Sequence, residues 1–188
     1  MRNIYHVGCD ESCYNQDSEK AEYKNVSFVY DREQLLYDIK NVAYIEAHKL
    51  NDSEQQHSQH SIVDICEEGN IHRVDRVLFN EYCNIVELLN PMTKQTIDEG
   101  EIFGNEIIEP EQYKIELTVP ETMSRTTLRL LSVSIHDYLV ACVIYDWLAI
   151  YYPAASANWI NQVESLRNDI NVHKNIRGGV LLRPSRPF

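Results

Sequence analysis

The stretch that decides the fold is Ser124–Tyr152, SRTTLRLLSVSIHDYLVACVIYDWLAIYY. Its apolar residues recur every three or four positions, which is the spacing of one face of an α-helix. Thr122 and Ser124 both suit the start of this helix because their hydroxyls can accept from a free backbone N–H, and Pro153 marks its end. From Leu139 onward almost every side chain is apolar, so the helix needs cover on almost every side. We therefore predict the central helix of a bundle, with a neighbouring subunit as one source of that cover.

A membrane-spanning interpretation of this helix is disfavoured. The densest apolar run, LVACVIYDWLAIYY at residues 139–152, is shorter than the roughly twenty residues that a span needs. Asp146 lies inside the run, and an unpaired carboxylate is costly in lipid. We therefore expect no membrane partner. In a folded bundle, Asp146 is predicted to be a buried polar residue with a cationic partner, either Arg167 or Arg129 of another copy.

Composition excludes some classes of function. The chain has 188 residues, enough for one domain with a core, and a net charge of −12. An acidic surface argues against general nucleic-acid binding, which depends on lysine and arginine at phosphates. The five cysteines follow no pattern and indicate reduced thiols in a protein made in a cytosol. No glycine-rich phosphate loop is present.

Two amphipathic helices are predicted before the central one. The first follows Asp31, a suitable N-cap, and places apolar residues on one face as far as Leu50. The second runs from Val74 to Leu89 and stops at the proline that follows. Between them, residues 51–61 (NDSEQQHSQHS) are polar and low in complexity, so we expect a loop. Residues 62–66 fit a strand and a helical turn equally well.

The clearest strand pattern lies at residues 113–119, where Tyr113, Ile115 and Leu117 alternate with polar residues. One strand is not stable alone. It must pair with a second predicted strand at residues 26–30, with residues 100–108, or with another subunit. Tyr113, Ile115 and Leu117 are therefore candidates for a subunit interface.

A last helix begins at Pro153. Its apolar residues Trp159, Val163, Leu166 and Ile170 recur at intervals of four, three and four, which predicts an antiparallel hairpin with the central helix. We therefore predict a mainly α fold: one helical-bundle domain at residues 1–171 with a minor β element, followed by an extended basic C-terminal arm at 172–188.

The arm is a candidate contact between copies. From Asn171 onward the chain has four Lys/Arg and no Asp/Glu, so the arm complements the acidic body of the next copy. The alternative is a terminus without a role. The candidate interface residues in the arm are Arg177, Leu181, Arg183, Pro184, Arg186 and Phe188.

The sequence offers no assembled catalytic or metal centre. His6, Cys9 and Cys13 have spacing that zinc accepts, but no second pair follows. His136 and Asp137 are neighbours in a helix, so they point about 100° apart and cannot act on each other. We therefore expect no enzymatic activity and no cofactor.

Residues 113–188 resemble the virion proteins of tailed phages of the Bacteroides type, including podovirus and crAss-like phages. The resemblance rests on a strand that ends in Val-Pro, a long helix with Ile-His-x-Tyr-Leu-Val and Tyr-x-Trp-Leu, a Pro-Ala-Ala turn and an Arg/Pro-rich end. These features are found at Val119-Pro120, 135–140, 145–148, 153–155, Trp159 and 183–188.

This resemblance implies a head–tail connector or adaptor that forms a neck ring of about twelve copies between the portal and tail proteins. Such a subunit is made in the host cytoplasm, ends in the virion and has no catalytic residues. Its acidic wall would lie near packaged DNA without binding it. The alternative is a small, soluble, non-enzymatic binding or regulatory protein of a phage or mobile element.

Overall fold

The protein is described by a computed structural model that covers residues 23–50, 56–93, 104, 106 and 108–175. It is mainly helical, as predicted. The described elements, in chain order, are β1 (Tyr23–Asp31), α1 (Arg32–His48), α2 (Gln56–Val63), a 3₁₀ turn (Asp64–Cys66), α3 (Ile71–Leu88), β2 (Gln112–Pro120), α4 (Arg125–Tyr151) and α5 (Pro153–Asn175).

The two strands form an antiparallel sheet within the chain. Phe28 lies opposite Ile115, and Tyr30 lies opposite Tyr113. Side chains on one face of β2 are buried and those on the other are exposed, as the alternating pattern predicts. The Tyr30 hydroxyl donates to the Ser132 carbonyl at 3.1 Å and so ties the sheet to α4. The partner of the predicted strand is therefore the 26–30 region of the same chain.

This pairing corrects the assignment of Tyr113, Ile115 and Leu117 as interface candidates. Their side chains are only 2%, 1% and 1% exposed and belong to the chain's own core. A residue already buried by its own chain offers no apolar surface to a neighbour. The apolar face of the strand was read correctly, but it packs inward.

The central helix α4 begins and ends where the sequence predicts. The Ser124 hydroxyl accepts from the Thr127 backbone N–H at 3.0 Å, and α4 ends at Tyr151, with one residue between it and Pro153, which begins α5. The helix contacts α1, α2, α3 and α5, with α5 as its antiparallel partner. Within residues 139–148, only Tyr145 and Asp146 are not fully buried. Four helices of the same chain therefore cover residues 139–148, whereas Ala149 and Ile150, near the end of the predicted apolar run, are exposed. A neighbouring subunit is not needed to cover residues 139–148, and its contact with the rest of the run stays a prediction.

By length and composition, α4 is the one helix among the described residues that could cross a membrane, and 56% of its most apolar window is buried inside the fold. The core helix of a soluble protein has the same composition. The absence of a membrane partner therefore stays a prediction.

Two boundaries differ from the sequence analysis. Residues 56–61, predicted as loop, belong to α2, which is anchored by buried Ile62 and by a hydrogen bond from the Trp147 indole N–H to the Ser61 carbonyl at 3.1 Å. At the other end, α5 continues to Asn175, so residues 172–175 are helical rather than part of an extended arm. Lys174 of α5 donates to the carbonyls of Leu88 and Asn90 at the end of α3.

Candidate functional site

The six interface candidates of the predicted arm, Arg177 to Phe188, lie outside the described residues. Their role stays a prediction. The residues His6, Cys9 and Cys13 also lie outside the described part of the chain. The remaining candidates can be placed.

Asp146 is less buried than predicted and has a different partner. Its side chain is 35% exposed and accepts from Arg73 of α3, with Nη2–Oδ2 at 2.9 Å and Nε–Oδ2 at 3.0 Å. The expected partners were Arg167 and Arg129 of another copy. Arg73 lies 73 positions away in sequence, and only the packing of α3 on α4 brings the two charges together. This pair is a half-exposed structural contact.

His136 pairs with a carboxylate other than that of its sequence neighbour Asp137. The His136 Nε2 atom lies 3.0 Å from a carboxylate oxygen of Asp38 on α1, while Asp137 is exposed. Because Asp38 and His136 are each partly exposed, the pair links α1 to α4 at the protein surface. No nucleophile is part of this contact among the described residues.

A groove of about 410 Å³ lies beside the Asp38–His136 pair, between α1, α4 and α5. Three partly buried apolar side chains line it: Val42, Trp159 and Leu166. Its remaining lining includes polar groups such as Asp137. A groove whose lining residues are half polar and half apolar can serve as a protein-binding surface.

The outer face of α1 adds a second exposed apolar surface. Tyr37, Tyr44 and Ile45 are 61%, 55% and 56% exposed. Positions 37, 44 and 45 fall within about one third of the helix circumference, so the three side chains form a stripe. Tyrosine is favoured at protein interfaces because it combines an apolar ring with a polar hydroxyl. We call this set the α1 stripe.

Among the residues that the structure describes, the buried charged side chain is Asp75, not Asp146. Asp75 has no exposed surface, and Arg32 donates to both of its carboxylate oxygens, from Nε at 2.7 Å and from Nη2 at 2.6 Å. This hydrogen-bonded contact raises the pKa of the Arg32 guanidinium. A bidentate pair of this kind fixes the start of α1 against α3.

Three further groups surround the Arg32–Asp75 pair. His72, one turn before Asp75 on α3, has its Nδ1 atom 2.7 Å from a carboxylate oxygen of Glu109. The Tyr113 hydroxyl is buried and makes no hydrogen bond to any described residue. Burial raises the pKa of Tyr113 to about 12, with a further contribution from the charge of Asp75. A surface cavity of about 810 Å³ opens beside Arg32 and Glu109.

The sequence analysis missed this cluster. The spacing His72-x-x-Asp75 can be recognised in the sequence as two polar residues on one helix face, because residues three apart share a face. Arg32 and Glu109, however, lie in other segments, and no spacing rule links them to α3. A burial pattern alone could not identify Asp75, since it occupies a position that would normally be apolar.

The described cysteines are free thiols. Cys66 and Cys142 are buried and Cys83 is exposed. Burial raises the pKa of Cys66 to about 11 and that of Cys142 to about 12. Both buried thiols are therefore protonated at neutral pH and poor nucleophiles.

Comparison of the chain with known protein families, with curated proteins and with solved structures finds no match in any of the three. Its function is therefore inferred from its own surfaces and from the sequence pattern at residues 113–188.

Proposed function

We propose that this protein is a structural subunit of a tailed-phage virion, a connector or adaptor that joins the portal to the tail as part of a ring. It acts by assembly with copies of itself and with portal and tail proteins, and it performs no catalysis. The ring and the phage setting rest on the resemblance of residues 113–188. The surface that supports an assembly role lies on α1.

The single observation that carries the assembly role is the α1 stripe. Tyr37, Tyr44 and Ile45 are each more than half exposed, while the opposite face of α1 is buried in the core. Apolar residues scattered singly over a surface need no explanation, but large ones aligned on one helix face mark an interaction site. The groove beside Asn41 and Val42 lies along the same helix and extends the surface towards α5.

Charge supports the same proposal. The body of the protein is acidic, whereas the sequence after Asn175 includes Arg177, Arg183 and Arg186 and no acidic residue. A basic segment on an acidic body favours contact between different faces of successive copies, and such head-to-tail contacts close into rings. An acidic ring would also let DNA pass without binding it.

One finding favours the alternative, a soluble binding or regulatory protein of a phage or mobile element. Residues 139–148 of α4 are covered by the chain's own helices, so most of the apolar run is buried without a second copy. Under this alternative, the α1 stripe binds one partner protein, and no ring forms.

Mass measurement of the full chain tests the proposal. We expect multimers in solution, and the same polypeptide in purified particles of the phage that encodes it. Ile45→Glu should weaken association at least tenfold. Val133→Glu is a matched control, because Val133 is also an exposed aliphatic residue on a helix, 51% exposed against 56%. A chain that stays monomeric at high concentration and is missing from particles would refute the ring and leave the alternative.

A further inference from the structure

The strongest unassigned feature is the group His72, Asp75 and Glu109. One ligand atom from each residue lies within 4.8 Å of the other two. His72 and Asp75 project from one face of the first turns of α3, and Glu109 reaches the same point from the segment before β2. An imidazole nitrogen and two carboxylate oxygens form a donor set that zinc and similar ions accept.

A second observation points to a ligand at this place. The Tyr113 side chain is buried, with the residue only 2% exposed. Its hydroxyl nevertheless has no hydrogen-bond partner among the described residues. It lies near enough to Asp75 and Glu109 for their charges to act on it. Buried hydroxyls are normally paired, and an unpaired one suggests that a group at the site is still to be accounted for.

The Arg32 contact is compatible with a bound ion. A carboxylate has about four lone-pair positions, and Arg32 uses one on each oxygen of Asp75. Arg32 then holds the carboxylate in place, as outer hydrogen-bond partners of metal ligands commonly do. His72 and Glu109 have side chains 62% and 39% exposed, so they are free to move the short distance that closes a ligand shell.

We propose that His72, Asp75 and Glu109 bind a divalent transition-metal ion of the zinc class, with a coordination position left for water. The ion joins the segment before β2 to the first turn of α3. This site is independent of the proposed assembly role, because neither the α1 stripe nor the groove contributes a ligand.

Isothermal titration of the chelator-treated full chain with zinc chloride tests the proposal. We expect one site that involves these residues, and at least a tenfold loss of affinity in both His72→Ala and Glu109→Gln. Both substitutions are at exposed side chains, so the fold should persist, which far-UV circular dichroism verifies. Asp75 is not substituted in this test. It is buried, so a loss of zinc affinity in an Asp75 variant could come from damage to the fold rather than from loss of a ligand.

His48→Ala is the matched control. His48 is an exposed histidine on α1 whose Nδ1 lies 2.8 Å from the Tyr44 carbonyl, and its removal should leave zinc affinity unchanged. Absence of zinc binding in the unmodified chain overturns the proposal. So does binding that persists in His72→Ala or in Glu109→Gln, since that result would assign the ion to other residues such as His6, Cys9 and Cys13. Equal weakening by His48→Ala would overturn it too.

Discussion

Replacing Asp75 by asparagine should destabilise the protein strongly. Asp75 has no exposed surface, and the side chain of Arg32 is only 20% exposed. Removing one partner of a buried ion pair leaves the other charge without compensation, at a cost of about 3–5 kcal/mol. Because Arg32 retains some access to water, we expect the lower end, about 3 kcal/mol. For a chain of this length, that loss corresponds to a fall in Tm of about 10 °C.

The protein has an internal control on the same helix. Arg73 of α3 pairs with Asp146, but their side chains are 50% and 35% exposed. Ion pairs with this much access to water contribute about 0–1 kcal/mol. Asp146→Asn removes the same charge as Asp75→Asn and should therefore reduce the free energy of unfolding by less than about 1 kcal/mol.

The free energy of unfolding of both variants is measured by urea titration monitored by circular dichroism. The values are extrapolated to zero urea with the same dependence on urea concentration for both variants. A chelator should be present, so that any ion bound near Asp75 does not contribute. The reasoning is refuted if the two variants lose equal stability, or if Asp75→Asn loses less than about 1 kcal/mol. Either outcome would mean that the burial of the Arg32–Asp75 pair does not determine its energetic importance.

Three further predictions follow from other contacts. Because burial raises the pKa of Tyr113 from 10.0 to about 12, the folded protein keeps a proton that the unfolded chain loses, and this group removes up to about 3 kcal/mol of stability as pH rises from 10 to 12. Tyr113→Phe should abolish that part of the alkaline loss in urea titrations. Ser124→Ala removes the hydroxyl that caps α4 and should cost about 1 kcal/mol, measured in the same way. Truncation after Asn175 should leave the far-UV spectrum of the bundle intact and reduce multimer formation, whereas unchanged multimers would show that residues 176–188 are not part of the contact.

The predictable part of the fold came from local signals. Ser124 and Pro153 bound α4, and the apolar spacing between them specifies a helix. The alternation from Tyr113 to Val119 specifies a strand in the same way. Such signals are contained in one stretch of chain, so they can be read without knowing what packs against it. They did not show whether the apolar face of β2 meets its own core or another subunit.

The unpredicted part depends on contacts between distant segments. α2 is polar in sequence, and its helix is held by Ile62 and by the Trp147 indole rather than by intrinsic preference. Arg32 and Asp75 are separated by 43 positions, so their pairing requires the packed arrangement of α1 on α3. The same limitation explains why Asp146 was assigned the wrong partner. The charge of a residue and its position in the apolar spacing identify which residues need a partner. The tertiary fold decides which partner each one has.

The contact of Lys174 with the end of α3 determines where the remaining sequence leaves the bundle. The ammonium group binds the carbonyls of Leu88 and Asn90, so the last turn of α5 is held against the neighbouring helix. Asn175, the last residue that the structure describes, therefore lies at a defined pole of the molecule. A fluorophore attached just after Asn175 would report on partners at that pole, and one on the α1 stripe would report on a different face.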